Sequence, residues 1–423
     1  MLLVVLWATA CNNTPPTPTP SATTAVVTIP DNSNAAPAAA ATPTVPPTST
    51  PDRPVEGNLV FWHSWAGADA DALAALLLAL KTRYPNLQID TLFVAYNDLP
   101  QSYAEAVQAG AGPDLILTSN WWLGEMVAAN VVQPLDELLP AAALTDYWPA
   151  TLDSLRWQGK LYGLPTNFEL ISLFYNRALL GSSPLPTTTD ELLALAQANP
   201  QQGIGLYATL YHLYWGFPAF GARLFNEQGQ VILDQSTGAA DYLTWLKQLS
   251  GVNGTFVDED YGMLLDRFKK GEYAFLVDGP WSINDLQGAL SDNLAITGLP
   301  AGPAGPAQPW LSADGLFINP RATPEQQQLA LVVAQAFTSA ESGQILAEQA
   351  HRLPANRLAQ VTDPLLQGFM QQANSAQALP MIPEMKEVWG YGGDLLLRVL
   401  AGDEAPAKVV KETATLINEA NGK

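Results

Sequence analysis

Strand and helix signals alternate along this chain, and that alternation restricts it to an α/β architecture more tightly than any other feature. Residues 59–62 (Leu-Val-Phe-Trp) form a buried-strand run, and residues 69–84 an apolar-rich helix that opens on Asp69 and Asp71 and closes before Pro85. Residues 87–93 alternate as a strand, residues 96–109 suit a helix, and residues 112–118 turn into a third strand. Strand–helix–strand–helix–strand is the logic of a parallel sheet flanked by helices. A short helix at 125–129 follows, and the sequence around Pro134 ends the run. Beyond it, helices are expected at 189–198, 238–250, 261–270, 324–340, 342–349, 364–373 and 408–420, with a buried strand at 273–277. A chain of 423 residues that alternates throughout exceeds one small core and fits two α/β lobes.

The two halves are separated by Gly159-Lys160-Leu161-Tyr162-Gly163-Leu164-Pro165-Thr166-Asn167-Phe168-Glu169, which continues to Leu173-Phe174-Tyr175-Asn176-Arg177. This reads as a strand that leaves one lobe and enters the next. Thr166 to Glu169 then lie at the crossover, where a polar ligand can be held from both sides.

The net charge of −21 argues against nucleic acid, which needs clustered Lys and Arg to displace counterions, and against a polybasic membrane patch. A lone cysteine gives no disulfide within the chain and no Cys-based metal site, and His63, His212 and His351 are too scattered for structural zinc. Neither a cofactor nor a metal is expected. Residues 1–11 are an apolar run ending in Ala8-Thr9-Ala10-Cys11, which resembles a bacterial lipoprotein signal segment with Cys11 as the lipidated residue. Residues 12–54 are dominated by Pro, Thr, Ala and Ser and read as a disordered tether. No later stretch approaches the ~20 apolar residues of a spanning helix, so the expected membrane attachment is a lipid anchor only, on the outer face of the cell membrane or in the periplasm.

From residue 59 to 417 a series of landmarks follows in order. Phe61-Trp62-His63-Ser64-Trp65 ends the first strand, and Gly112-Pro113-Asp114-Leu115-Ile116-Leu117 forms the third. After the crossover come Phe268-Lys269-Lys270-Gly271-Glu272-Tyr273-Ala274-Phe275, Asp278-Gly279-Pro280-Trp281, Leu299-Pro300 and Trp310-Leu311-Ser312-Ala313-Asp314-Gly315. Leu353-Pro354-Ala355-Asn356 and Pro383-Glu384-Met385 ahead of Trp389 complete the set. Their order and spacing resemble the family 1 extracellular solute-binding proteins of carbohydrate ABC importers, the maltose-binding-protein-like group. The resemblance implies a class II periplasmic-binding-protein fold of two α/β lobes joined by crossing hinge strands. Lobe 1 is placed at 55–168 plus 314–358, and lobe 2 at 169–313 plus 359–423. It also implies a monomeric receptor that takes a sugar or oligosaccharide between the lobes and passes it to an ABC permease.

Aromatic rings pack on the C–H faces of a sugar, while carboxylates, amides and arginine bond its hydroxyls. On the resemblance, Glu169 matches the hinge carboxylate and Trp281 the stacking tryptophan, presented on a stiff Gly-Pro turn. Trp389 and Tyr391, bracketing Gly390, occupy the place of a second aromatic platform. Asn120, Trp121 and Trp122 lie at the cleft edge, and both rings cannot be buried on the same side of a tight turn. His63, Ser64 and Trp65 follow the first strand, where His63 can serve either as a capping donor or as a ligand contact. Tyr207, Tyr211 and Trp215 form a stripe that either roofs the cleft or packs in a core. Trp310 and Asp314 stand by the second crossover and Arg352 ahead of the third, whereas Trp148, Trp157 and Trp245 read as packing.

Three other functions compete. A glycoside hydrolase needs two carboxylates about 5–10 Å apart; Glu169, Asp278 and Asp314 are available, but no local acid/base motif, phosphate loop or Gly-x-Ser-x-Gly turn accompanies them, so no catalytic residue is assigned. A receptor for a polyamine, peptide or metal is the second; the acidic balance permits a polyamine, but Trp-rich loops with few clustered carboxylates favour sugar. A lipoprotein that signals to a chemoreceptor is the last alternative.

Overall fold

The computed structural model describes residues 55–402 and 404–423. Cys11, the segment 1–11 and the tether 12–54 lie outside the described residues.

The alternating first part of the chain builds a seven-stranded sheet. Its first strands are β1 (Gly57–His63), β2 (Leu87–Phe93) and β3 (Leu115–Ser119). A short hairpin, β4 (Arg156–Trp157) with β5 (Lys160–Leu161), leads into β6 (Gly163–Glu169). Later strands β12 (Trp310–Ile318), β13 (Leu353–Pro354) and β14 (Gln377–Ala378) complete it. The order is β13-β6-β12-β3-β1-β2, with β14 joined to the start of β12. The second sheet holds β7 (Ser172–Asn176), β8 (Ile204–Tyr207), β9 (Phe256–Asp258), β10 (Phe275–Asp278) and β11 (Leu294–Thr297), in the order β11-β7-β10-β8-β9. Each sheet is covered by helices, giving the two-lobed α/β fold that the resemblance implies.

Burial explains why each strand lies where it does. In β1, Leu59, Phe61 and His63 alternate inward, so one face packs on lobe 1; β3 is buried along its whole length, as a central parallel strand must be. The linker between β6 and β7, Leu170 and Ile171, is fully buried, so the chain passes from sheet to sheet without a solvent loop. β12 makes a second crossing: its first residues pair with β14, and Ser312 to Phe317 then pair with β6. β13 adds a third, pairing Leu353 and Pro354 with Phe168 and Asn167 before the chain enters the helix Pro364–Ala373.

Several helices fall at the expected residues. Thr189–Ala198 is held at its start by a capping box between Thr188 and Glu191, and Gly238–Ser250 follows its apolar face. One long helix is absent from the sequence-based expectation: Met385–Leu400, which carries Trp389 and Tyr391. The helix expected from residue 96 begins only at Leu99, which leaves Tyr96 outside it.

Candidate functional site

The two lobes present tryptophan in the same way. In lobe 1, β3 ends at Ser119 and runs into a tight turn, Asn120–Trp122, before the helix Leu123–Ala128; Ser119 Oγ accepts from the Trp121 amide at 3.4 Å. In lobe 2, β10 ends at Asp278 and runs into the turn Pro280–Ser282 before the helix Ile283–Leu290. Trp121 is 40% exposed and Trp281 44%, a high value for indoles in a folded domain. Trp122 instead packs back on lobe 1, facing Tyr96 at 6.0 Å, and Asn120 is fully buried with its amide nitrogen unpartnered among the described residues.

The Trp281 indole folds back over Gly279, and a Cβ at that position would come within 2.1 Å of the ring. The ring is fixed by a chain of hydrogen bonds that runs from the surface to a buried carboxylate. Trp281 Nε1 donates to the Tyr261 hydroxyl at 2.9 Å, and that hydroxyl donates to Asp278 Oδ2 at 2.9 Å. Asp278 is fully buried; its Oδ1 accepts from the Gly279 amide at 2.8 Å and lies 3.6 Å from His212 Nε2. Tyr207 and Tyr211 enclose the group, Tyr207 at 4.9 Å from His212 and Tyr211 at 6.2 Å from Trp281. Tyr261→Phe is expected to cost about 2 kcal/mol, because a buried carboxyl loses its donor. It is also expected to speed solvent exchange of the Trp281 indole proton at least tenfold, read by NMR on that resonance.

A polar group faces these rings from the crossing strands. Arg352 grips Asp69 with two bonds, Nε to Oδ1 at 2.9 Å and Nη2 to Oδ2 at 2.7 Å, and reaches Glu169 Oε1 with Nη1 at 2.6 Å. Asp69, expected from sequence only as a first-turn acid, thus joins lobe 1 to the hinge. Asp314 sits opposite both Asn167 and Ser119 and accepts from Asn167 Nδ2 at 3.1 Å. Two carboxylates therefore share one guanidinium, with the charge of Asp314 nearby. Burial raises the Glu169 carboxyl above its ordinary range; Arg352 opposes this and Asp314 and Asp69 add to it. Burial opposes the charge on Arg352, but Asp69, Asp314 and Glu169 override it and hold the guanidinium protonated. Burial also raises the Tyr96 hydroxyl, as do Asp314 and Glu169, while Ser119 and Trp122 oppose the shift. Tyr211 is raised by burial and by Glu169, with its hydroxyl beside Ser312.

The lobes touch between Trp121 and Trp389, whose rings are 5.7 Å apart at 33°. Trp389 rests edge-on against Trp310 at 5.3 Å, and Trp310 in turn stacks on Tyr214 at 3.8 Å.

The structure buries four further residues assigned to the ligand. His63 is buried, and its Nδ1 accepts from the Trp65 amide at 3.2 Å, so it caps the turn as an acceptor. Trp65 lies in the core of lobe 1 because the turn after β1 folds its ring inward, while Ser64 beside it is half-buried. Trp215 is fully buried against Tyr242 and Trp245, because its turn points into the lobe 2 core while Tyr211 points out. Trp310 is fully enclosed and supports Trp389 from beneath. Tyr391, like Trp389, is half-buried and packs in part against the lobe 2 core. Trp281 lies beside Tyr211, Trp121 beside Trp389, and Glu169, Arg352 and Asp314 together on the crossing strands. Asp69, bonded to Arg352, and Tyr261, bonded to Trp281 and Asp278, adjoin these groups without having been singled out as ligand contacts.

A profile of the bacterial extracellular solute-binding proteins matches residues 76–367, most of the described body. The chain belongs to this family. Among its relatives, the maltotriose-binding protein of Pyrococcus abyssi is 25% identical over 350 residues, which span 79% of this chain and 75% of the relative. The galactooligosaccharide-binding protein of Bacillus subtilis is 23% identical over 326 residues, 72% of this chain and 76% of the relative. A cyclo/maltodextrin-binding protein solved with maltotetraose superimposes with a TM-score of 0.77 and 25% identity, over 88% of this solute-binding protein and 98% of the other chain. Among the described residues no helix is long and apolar enough to cross a membrane.

Proposed function

We propose that this solute-binding protein captures a sugar or short oligosaccharide between its lobes and delivers it to the permease of an ABC importer. What carries the reading is an exposed indole on each lobe, Trp281 on one and Trp121 on the other, together with crossing strands that carry Glu169, Asp314 and Arg352. Indole faces suit the C–H patches of a pyranose, and the charged hinge suits its hydroxyls. Relatives named for maltotriose and galactooligosaccharides support the same class.

The ligand contacts we assign are Trp281, Trp121, Trp389, Tyr207, Glu169, Asp314 and Arg352, with Tyr96 and Tyr211 alongside. Lobe 1 is 55–168 with 314–358, and lobe 2 is 169–313 with 359–423. The protein acts as a monomer held to the membrane by lipid on Cys11 and by its tether, a reading supported by the sequence around Cys11 and by a pneumococcal relative named as a lipoprotein. Binding shifts an equilibrium between open and closed lobes, and the energy comes from differential contact with the sugar. The carboxylates are engaged with Arg352 and Asn167, an arrangement for holding hydroxyls rather than for acid/base chemistry.

A thermal-shift screen of malto- and galacto-oligosaccharides tests this. A ligand at 100 times its dissociation constant adds about 2.7 kcal/mol of stability; a screen in which no saccharide moves the transition refutes the reading.

Affinity is also expected to depend on pH with a definite sign. An ionised Glu169 accepts from sugar hydroxyls and a protonated one offers fewer acceptor sites, so binding weakens as pH falls through a midpoint above the ordinary value of about 4.3. The contribution of Glu169 to the stability of the unliganded fold runs the other way. A raised carboxyl stabilises the folded state below its unfolded-state value, and that contribution is lost as pH rises through the shifted one. Calorimetric titrations across pH 4–8 check this, and Glu169→Gln is expected to flatten the binding profile.

A further inference from the structure

His351 and Asp363 face each other across the third crossing. The helix Ala340–Ala350 packs on the helix Ala68–Arg83 of lobe 1 and ends at His351. The helix Pro364–Ala373 starts at Asp363 and packs on β11 of the second sheet. His351 takes the left-handed conformation, with φ 51°, a region uncommon outside glycine. That turn parts two neighbouring side chains: Arg352 reaches Asp69 and Glu169, and His351 brings Nδ1 to 3.3 Å from Asp363 Oδ2.

Both oxygens of Asp363 are engaged. Oδ1 accepts from the Leu365 amide at 2.8 Å and caps the lobe 2 helix, while Oδ2 faces the imidazole that closes the lobe 1 helix. Each charge also suits its own helix, an imidazolium at a C-terminus and a carboxylate at an N-terminus. Of the neighbouring charged groups, Arg352 is turned to the hinge and Glu348 is bonded to Gln344, which leaves Asp363 facing the ring. His351 Nδ1 is buried with no further partner among the described residues, so loss of the ring's charge weakens the one contact that nitrogen has. Asp363 holds the imidazole above its ordinary value of about 6.5 against partial burial, and His351 in turn lowers the Asp363 carboxyl.

We propose that His351 and Asp363 form a pH-sensitive latch across the crossing, which favours the arrangement in which Trp121 meets Trp389 while His351 is protonated and releases it when the ring loses its proton. The latch acts on the lobes themselves and does not depend on which solute they take. A raised imidazole contributes fully below its unpaired value, and the contribution is lost as pH rises through the shifted one. Asp363 stays ionised throughout that range.

NMR on the unliganded full chain from pH 5 to 9 tests the proposal, following the His351 ring protons and the Trp121 and Trp389 indole N–H resonances. His351 is expected to titrate above its ordinary value and to fall back toward it in Asp363→Asn, which keeps the helix cap. Both indole resonances are expected to move with the His351 midpoint. In Asp363→Asn, and in His351→Asn where asparagine suits the left-handed turn, that movement is expected to vanish. Movement that follows the Glu169 carboxyl persists in both variants, so the two transitions separate. A His351 midpoint that Asp363→Asn leaves unchanged overturns the latch. Indole resonances that ignore the His351 midpoint, or that still follow it in the variants, overturn it as well.

Discussion

Trp281→Ala is expected to weaken saccharide binding at least 100-fold while the unliganded protein stays folded with a moderate loss of stability. The ring is 44% exposed, so its removal forfeits the burial of a little over half of its surface, at most about 3 kcal/mol at the usual apolar coefficient. On the bound side it is a rigid aromatic anchor, and truncating such an anchor costs about 2–4 kcal/mol. Rigidity is the main reason: the indole is held by Tyr261 and folded over Gly279, so little rotamer entropy is lost when a sugar docks. Trp215→Ala provides the contrast, since that ring is wholly buried; its loss is expected to cost about 3–5 kcal/mol of stability. Titration calorimetry and thermal melts on the two variants separate the roles. If Trp281→Ala collapses the unliganded fold, the ring is core.

Arg352→Ala is expected to be the most damaging change in the hinge. Arg352 alone bonds both Asp69 and Glu169, and without it the Asp69, Glu169 and Asp314 carboxylates face one another uncompensated. Breaking a buried pair costs about 3–5 kcal/mol; Asp69, Glu169 and Arg352 all keep some solvent access, so about 2–3 kcal/mol is expected near neutral pH. The loss shrinks on acidification, because protonated carboxyls no longer repel. Glu169 in the variant titrates at still higher pH, since Arg352 was the group lowering it. Arg352→Lys rescues poorly, because an ammonium cannot reproduce the bidentate grip on Asp69. Urea unfolding at pH 7.5 and pH 4.5 reads both effects; equal losses at the two pH values contradict the account.

Much of the lobe architecture is legible from local pattern alone. The capping box at Thr188 and Glu191 and the apolar face of Gly238–Ser250 fix those helices to the residue. Met385–Leu400 was hidden by Gly390, Gly392 and Gly393, each of which lowers helix propensity by about 1 kcal/mol. Tertiary packing overrides that bias: a Cβ at Gly392 would come within 2.6 Å of Leu210. His63 could have been read as inward, because it shares the strand face of Leu59 and Phe61. The grip of Arg352 on Asp69 carries no local signal. It spans 283 positions and exists only because the third crossing brings β13 beside β6, near the start of the helix Ala68–Arg83. The Tyr261–Asp278 brace is hidden for the same reason: only the fold brings the start of a helix beneath the turn after β10.

The central claim is that indoles from both lobes grip one saccharide. Following the tryptophan indole N–H resonances by NMR during a titration with maltotetraose, or with a galactotetraose if only that binds, tests it most directly. The account predicts that Trp121, Trp281 and Trp389 shift together to one saturation point while Trp215 and Trp245 stay in place. Shifts confined to one lobe, or saturation of Trp281 and Trp121 at different concentrations, would contradict it.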